Sequence, residues 1–548
     1  MKKPSEQTPD EARPVALPAA FADPTRRMMG ETMFENFLDA LSEEPPVSIR
    51  VNRRKTSSVP ADDVTDGRVE WCDGGYYLTE RPDFTFDPLL HAGHYYVQEA
   101  SSMFVHRVLT RYCGESPVLM LDLCAAPGGK STAAVAALPH GSILMTNEPI
   151  RQRAQILMEN MQKWGCPDVI VTNSYPRDYA RSGLMFDVIL CDVPCSGEGM
   201  FRKDSGAIGE WSPQNVDACS RLQREIVADA WRCLRPGGLM IYSTCTYNTA
   251  ENEENVRWAC DELGATVLPV DTDDEWGITP SLLPGFTAPV CRFIPGRTRG
   301  EGLFCAALRK GGEGEPCLST ISSVSQPQKN GKRSSRHGGD DTVRLQSLVS
   351  SLVAGRDKTT TGHDKAAAGH DKVSAARQSA LGAILPEDYR LTAATLDADP
   401  SRPSRSAETT LIALPPRLVP LYETAARSLR ILSAGVTVGH IKGRDVIPDQ
   451  SLALSTALRQ DAFPTVGLTY AQAVAYLRKE TVTLPSDTPR GFVLVTFRGA
   501  PLGFVKNIGT RANNLYPAEW KIKSTHVPDE PRVMGKEEET APNDTVTE

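Results

Sequence analysis

Two cysteines follow apolar runs that have the character of buried strands. Cys195 stands in Asp192-Val-Pro-Cys-Ser-Gly-Glu-Gly, and Cys245 stands in Ile241-Tyr-Ser-Thr-Cys-Thr-Tyr. A thiolate is a strong nucleophile, so two thiols at neighbouring strand ends are suited to attack on an electrophilic carbon. The alternative for either residue alone is an inert, buried cysteine, and the pairing of the two weighs against it.

A glycine-containing loop precedes both cysteines and joins a predicted strand to a predicted helix. It reads Leu121-Asp-Leu-Cys-Ala-Ala-Pro-Gly-Gly-Lys-Ser-Thr. Gly128 and Gly129 allow a ligand to approach the backbone closely, and the helix N-terminus behind them favours polar or anionic groups. A P-loop is excluded because Cys124 stands where that motif needs a glycine, and Gly-x-Gly-x-x-Gly is absent. The loop therefore favours a nucleotide-like cofactor, with a turn that binds nothing as the alternative.

An acidic residue ends the next predicted strand, in Thr146-Asn147-Glu148. Glu148 follows the glycine loop at about twenty residues, which is the usual spacing for a carboxylate that accepts the hydroxyls of a ribose. The alternative is a helix cap, a common role for acidic residues after strands. The spacing favours the ribose interpretation.

These motifs lie in a region where short apolar runs alternate with helical stretches. Alternation of this kind predicts a doubly wound α/β sheet with its ligand beyond the carboxyl ends of the strands. The predicted strands are Val118 to Leu123, Ser142 to Thr146, Asp168 to Val171, Phe186 to Cys191 and Leu239 to Ser243. The predicted helices are Gly129 to Ala137, Ile150 to Trp164 and Asn215 to Leu234.

The length of 548 residues predicts several folded units. We expect an N-terminal α+β domain at 1–105, the doubly wound core at 106–310, a low-complexity linker at 311–385, a β-rich domain at 386–526 and an acidic, disordered tail at 527–548. Within the linker, a Gly-x-Asp-Lys pattern recurs every seven residues. His363 and His370 belong to it, but no carboxylate or thiol cluster completes a metal site, so no metal is expected.

Charge is distributed unevenly over the chain. The net charge is −8, yet residues 411 to 525 hold 14 Lys and Arg against 7 Asp and Glu. This surplus, with Tyr516 and Trp520 interleaved in it, predicts RNA affinity through phosphate contacts, with a merely solvated basic face as the alternative. No apolar run is long enough to span a membrane, the N-terminus has no apolar segment of a signal peptide, and the 13 cysteines form no Cys-x-x-Cys pair. We therefore expect a cytoplasmic protein.

The three motifs together resemble the Nol/Nop/Sun family of RNA cytosine-5 methyltransferases, and within it the bacterial enzymes of 16S ribosomal RNA of the F type. The resemblance rests on Cys124-Ala-Ala-Pro-Gly-Gly-Lys, Asp192-Val-Pro-Cys-Ser-Gly-Glu-Gly and Ser243-Thr-Cys-Thr. It extends to Ser48-Ile-Arg-Val-Asn and to His94-Tyr-Tyr-Val-Gln-Glu-Ala-Ser-Ser-Met near the N-terminus. Residues 498–520 resemble a PUA-like RNA-binding domain. A Rossmann-like class I methyltransferase core between two RNA-binding domains is the fold that it implies.

The resemblance also implies roles for individual residues. Cys245 attacks the base, Cys195 assists product release, and Asp192 and Lys130 complete the catalytic set. S-adenosylmethionine is the implied cofactor, and its contacts carry over to Cys124, Ala125, Ala126, Pro127, Gly128, Gly129, Lys130, Glu148, Arg153 and Asp192. On the adenine side the family's aspartate is missing, and Asn173 stands in its place.

A thiol nucleophile suits this chemistry because carbon 5 of cytosine is a poor nucleophile until a thiolate adds to carbon 6. The implied partner is RNA, with ribosomal RNA in a small-subunit particle favoured, and we expect a monomer. A DNA cytosine methyltransferase is disfavoured, because those enzymes attack with the Pro-Cys cysteine. An inactive RNA-binding relative is disfavoured because both thiols and the glycine loop are present.

Overall fold

The computed structural model describes residues 17–319, 345, 347–350, 352, 380–396, 409–443, 445–524, 526–531 and 533–534. The heptad-spaced pattern at 355–372, with His363 and His370, lies outside the described residues. Within the described ranges, no helix combines the length and the apolar character that a membrane span requires.

The N-terminal part consists of two helices followed by a four-stranded antiparallel sheet in the order β2-β3-β1-β4. The helices turn their aromatic side chains inward, and Phe37 packs edge-on against Tyr247 of the central domain. This packing fixes the helical pair to the core domain. The bounds are α1 Ala19–Met29, α2 Glu31–Ser42, β1 Val47–Val51, β2 Thr65–Arg68, β3 Gly75–Leu78, α3 Pro88–His91 and β4 Tyr95–Val97.

The central domain is a twisted sheet with helices on both faces, which confirms the predicted doubly wound class. Its strand order is β10-β12-β9-β8-β5-β6-β7-β15, and β5 to β9 run parallel. These strands are buried on both faces, as expected for a sheet between helical layers. The bounds are α4 Phe104–Tyr112, β5 Leu119–Asp122, α5 Gly129–Ala137, β6 Ile143–Asn147, α6 Arg151–Trp164, β7 Val169–Thr172, α7 Pro176–Ser182, β8 Phe186–Asp192, α8 Ser205–Glu210, α9 Pro213–Cys233, β9 Leu234–Thr244, α10 Glu253–Leu263, β10 Thr266–Leu268, β11 Cys291–Phe293 and β12 Leu303–Arg309.

The C-terminal part differs from the predicted single domain at 386–526. It contains two four-stranded sheets, β13-β14-β16-β17 and β18-β19-β20-β21. It also gives β15 to the central sheet, where Ser433 pairs with Val171 of β7. The bounds are β13 Arg390–Ala394, β14 Thr410–Leu414, α11 Val419–Ala425, β15 Ile431–Ala434, β16 Val436–Lys442, β17 Asp445–Pro448, α12 Gln450–Leu454, β18 Thr465–Gly467, α13 Tyr470–Leu477, β19 Gly491–Phe497, β20 Ala500–Asn507 and β21 Ala512–Asn514.

Some residues of the predicted linker and of the predicted tail are packed. In the segment predicted as a linker at 311–385, Leu381, Ile384 and Leu385 are buried beside the first C-terminal sheet. In the segment predicted as a tail at 527–548, Val533 and Met534 are buried. Both segments are polar on average, so composition alone did not predict that a few of their apolar residues are packed.

Tyr516 and Trp520, the two aromatic residues interleaved with the basic surplus, are buried. Tyr516 is 0% exposed and Trp520 is 9% exposed. The Tyr516 hydroxyl lies 3.1 Å from Nδ1 of His91 in α3. Both aromatic side chains belong to a hydrophobic core that the N-terminal sheet shares with the second C-terminal sheet. They join the two ends of the chain, so their π faces are not available to a nucleic acid.

Candidate active site

The two predicted reactive thiols lie together where β8 and β9 end. Cys195 Sγ and Cys245 Sγ are 3.1 Å apart, and both residues are partly buried. Their loops are held side by side because the Gly199 amide donates to the Cys245 carbonyl at 2.7 Å. A Cβ atom at position 199 would collide with that same carbonyl, so the close approach requires glycine. The sequence predicted this convergence, and the parallel register of the two strands produces it.

The contact makes the two thiols unequal. A hydrogen bond from Cys195 is the largest influence on Cys245 and lowers the pKa of Cys245 below that of an ordinary cysteine, although burial opposes this. The same bond, reinforced by burial, raises the pKa of Cys195 well above its usual range. The contact therefore favours ionisation of Cys245 over ionisation of Cys195.

An ion pair lies beside the thiols. Lys130 Nζ is 2.8 Å from Asp192 Oδ1, and the Ser243 hydroxyl donates to the same oxygen at 2.8 Å. Burial lowers the pKa of Lys130, but the attraction of Asp192 and their hydrogen bond outweigh it, so the net shift is upward. Lys130 is therefore a cation, and its charge favours the thiolate form of Cys245.

A cavity of about 560 Å³ opens next to this ion pair. One wall comes from the glycine loop and the end of β8, and the opposite wall comes from β4 and the residues after it. The predicted site residues in the wall are Cys124, Ala125, Ala126, Pro127, Gly129, Lys130 and Asp192. The cavity is therefore shared between the N-terminal domain and the central domain.

The other predicted cofactor residues lie outside that wall. Gly128 has a positive φ of 113° and allows the loop to turn into α5. Glu148 accepts a hydrogen bond from the Ile150 amide at 3.0 Å and lies 3.5 Å from Arg153, which also donates to the Ala126 carbonyl at 2.9 Å. Arg153 thus links the acidic strand end to the glycine loop.

Asn173, the residue predicted on the adenine side, makes backbone contacts. Its side-chain amide donates to the Glu148 carbonyl at 2.8 Å and to the Pro149 carbonyl at 3.0 Å. Its backbone amide donates to the Arg430 carbonyl just before β15. The side chain therefore fixes the turn after β6.

Sequence reasoning missed two polar groups of the cavity wall. Gln98 is 5% exposed; its Oε1 accepts from Arg50 Nε at 2.8 Å, which leaves Gln98 Nε2 as a buried donor with no hydrogen-bond partner among the described residues. Asp122 is fully buried, and its Oδ1 likewise has no partner there; burial raises the pKa of Asp122 to about 7. Gln98 belongs to a motif that the sequence had marked only as part of the N-terminal domain.

A buried carboxylate that the sequence did not single out supports the thiol loops. Glu198, in the Cys195 loop, is 0% exposed. Its oxygens accept hydrogen bonds from the backbone amides of Tyr247 and Asn248, at 2.7 and 2.9 Å, and from Trp211 Nε1. It therefore links the first thiol loop to the second.

Comparison with known families gives three matches along the chain. The model of the 16S rRNA methyltransferase RsmB/F matches residues 114–309, that of the N-terminal domain of 16S rRNA methyltransferase RsmF matches residues 17–100, and that of the methyltransferase RsmF PUA domain matches residues 463–522. Together these ranges cover more than half of the chain.

Individual relatives agree with these matches. Ribosomal RNA small subunit methyltransferase F of Escherichia coli (strain UMN026) is 29% identical over 525 residues, which span 92% of this chain and 96% of that protein. The protein with the same name in Cronobacter sakazakii is 35% identical over 55% of this chain and 65% of its own length. Among solved structures, a methyltransferase homolog protein from Pyrococcus horikoshii is 27% identical over 53% of this chain and 94% of its own, with a TM-score of 0.46.

Proposed function

Because the chain belongs to the RsmB/F family of 16S ribosomal RNA methyltransferases, we propose that it methylates carbon 5 of a cytosine in 16S ribosomal RNA through a covalent adduct of Cys245. The observation that carries this proposal is the 3.1 Å contact between Cys195 and Cys245 beside the Lys130–Asp192 pair. A core cysteine has no need of a second thiol at this distance or of a neighbouring cation.

S-adenosylmethionine is the proposed cofactor. Support comes from the cavity beside the thiols and from the buried polar atoms Gln98 Nε2 and Asp122 Oδ1 in its wall, which lack partners among the described residues. When bound, the cofactor supplies an electrophilic methyl group. The glycine loop at 124–130 and Asp192 would hold it, Glu148 with Arg153 would serve the ribose end, and Asn173 would lie on the adenine side.

In the proposed mechanism, the Cys245 thiolate forms a bond to carbon 6 of the cytosine, and the electron pair of the 5,6 double bond moves towards carbon 5. Ring nitrogen 3 takes up a proton as negative charge spreads over the ring of the adduct, and it then donates a hydrogen bond to the Asp192 carboxylate, which Lys130 holds in place. In the second half, once carbon 5 carries the methyl group that the cofactor would supply, its proton passes to water, the electrons of that carbon–hydrogen bond restore the 5,6 double bond, and the sulfur–carbon bond breaks to release the Cys245 thiolate. Cys195 assists this elimination.

The proposed partner is ribosomal RNA, and we propose that the enzyme acts as a cytoplasmic monomer on a small-subunit particle. Support for RNA binding comes from the PUA domain match and from the basic surplus of residues 411–525. In residues 386–526, the described chain forms one sheet before the matched PUA region and one sheet within it.

Bisulfite sequencing of 16S ribosomal RNA tests this function. We expect a strain that lacks the gene to lose one or more 5-methylcytosines, and a plasmid copy of the wild-type gene to restore them. A copy that carries Cys245→Ala should restore none, although the protein accumulates normally. An unchanged methylation pattern in the deletion strain would contradict the proposal.

A further inference from the structure

A second buried carboxylate, Glu251, fixes the backbone on both sides of Cys195. Glu251 lies after Cys245 in the chain, just before α10, and is 0% exposed. Its Oε2 accepts from the Ser196 amide at 3.0 Å and from Gln223 Nε2 at 2.7 Å. Gln223 Nε2 also donates to the Pro194 carbonyl at 3.0 Å. Glu251, on the loop that follows Cys245, thus positions Ser196 directly and Pro194 through Gln223, which are the residues on either side of Cys195.

No cation lies beside the Glu251 carboxylate in the part of the chain that the structure describes. Among the described residues, its oxygens accept only from neutral donors, the third being Asn248 Nδ2 at 2.8 Å, and no Lys or Arg forms an ion pair with it. Glu253, two residues later, contrasts with it because Glu253 pairs with the buried guanidinium of Arg292. The unneutralised charge of Glu251 therefore acts on the nearby thiols, where a second negative charge is disfavoured.

The groups around the two thiols come from four elements. Lys130 of α5 and Asp192 of β8 form an ion pair on the side of Cys245, and Tyr242 of β9 donates its hydroxyl to the Glu251 carbonyl. Glu251 completes the set next to the Cys195 backbone. Lys130, the cation of this set, thus acts on Cys245. Glu251 instead contacts the backbone next to Cys195, through the Ser196 amide.

We propose that Glu251 is the positioning residue of Cys195: it holds the Cys195 loop beside Cys245 and keeps the resting proton on the Cys195 sulfur, so that Cys245 is the thiolate. The inference deepens the proposed covalent mechanism and rests on it. It agrees with the raised pKa of Cys195, to which Glu251 contributes after the Cys245 hydrogen bond, burial and the charge of Cys245. Glu251 also raises the pKa of Cys245, but its effect there is smaller than those of Cys195, burial, Asp192 and Lys130. Glu251 acts through Cys195 and does not itself contact the base.

Alkylation of the full-length protein with iodoacetamide tests the charge part without RNA. Mass spectrometry of the two peptides gives the pH midpoint of each thiol. In Glu251→Gln we expect the Cys195 midpoint to fall by about one pH unit, which is about tenfold in its thiolate-to-thiol ratio. In Glu262→Gln, which removes an exposed charge of α10, both midpoints should stay near their wild-type values. An unchanged Cys195 midpoint in Glu251→Gln would overturn the inference.

Trapping on RNA tests the positioning part. The shorter side chain of Glu251→Asp no longer reaches the Ser196 amide, so we expect turnover to fall about 10-fold to 100-fold while covalent complex accumulates. Glu262→Gln, at an exposed position of α10, is the control and should turn over normally. Wild-type turnover by Glu251→Asp would overturn the inference. Failure of Cys195→Ala to accumulate complex would instead refute the proposed mechanism, so the two failures are distinguishable.

Discussion

At the scale of single residues, the contact between the two thiols gives them different tasks. Without Cys245 no adduct with carbon 6 can form, whereas without Cys195 the adduct forms and elimination loses its helper. We therefore expect Cys195→Ala to give a protein–RNA species that survives denaturing electrophoresis, and Cys245→Ala to give none. Labelled S-adenosylmethionine and substrate RNA provide the readout. The reverse pattern would exchange the two roles.

The neighbouring ion pair sets the pH at which Cys245 ionises. Because the charge of Lys130 lowers the pKa of Cys245 and that of Asp192 raises it, their removal has opposite effects. We expect Lys130→Gln to shift the alkylation midpoint of Cys245 to higher pH and Asp192→Asn to shift it to lower pH, each by about one pH unit. Shifts in the same direction in both variants would contradict this electrostatic account. The assay uses no RNA, so it is independent of turnover.

At the scale of elements, the sequence predicted the parallel strands of the core within a few residues. Their apolar runs are continuous because helices cover both faces, and the glycine loop marks the start of α5. The sequence did not predict β15, because Ile431–Ala434 is a short apolar run whose partner strand lies more than 250 residues earlier. Pairing over such a distance leaves no local pattern.

The same limit explains the missed parts of the site. Cys195 and Cys245 were predicted because each ends a strand, whereas Glu198 and Glu251 lie in loops whose function depends on contacts with another loop. The sequence did not predict Gln98 as a site residue for a similar reason. The orientation of its amide depends on a hydrogen bond from Arg50 of β1, which is distant in the sequence. Strand ends follow from periodicity, but contacts between loops do not.

The N-terminal domain lines part of the cavity with β4 and the residues that follow it, which include Gln98. Gln98 Nε2 is a buried donor that lacks a partner among the described residues, so a cofactor that accepts its hydrogen bond should lose affinity in Gln98→Leu. One hydrogen bond contributes about 0.5–1.5 kcal/mol, which corresponds to a loss of up to about tenfold. Calorimetry with S-adenosylhomocysteine measures it, and Gln162→Leu on α6 is the control. Equal affinity of both variants would exclude Gln98 from the site.

At the scale of the whole molecule, the first and last domains form one structure. The core around Tyr476 and Tyr516 also includes Ile49 and Tyr95 of the N-terminal sheet, and β15 completes the central sheet. Removal of the C-terminal part would therefore expose the edge of β7 and part of the N-terminal core. A truncated protein would report on folding rather than on RNA affinity, so the basic surface has to be tested with substitutions that leave the cores intact.

Lys521 and Lys523 are exposed residues of the basic C-terminal region and are suited to that test. If the two lysines bind phosphates, their binding releases counterions from the RNA. Removal of one such lysine should then make the slope of log affinity against log salt concentration shallower by about 0.7–0.9. We expect Lys521→Gln with Lys523→Gln to weaken RNA binding and to reduce that slope by about 1.5, as measured by fluorescence anisotropy at several salt concentrations. Arg232→Gln, an exposed charge on α9, controls for net charge. If the double lysine variant and Arg232→Gln both kept the wild-type slope, Lys521 and Lys523 would not bind phosphates. Any phosphate contacts of this region would then come from its other Lys and Arg residues.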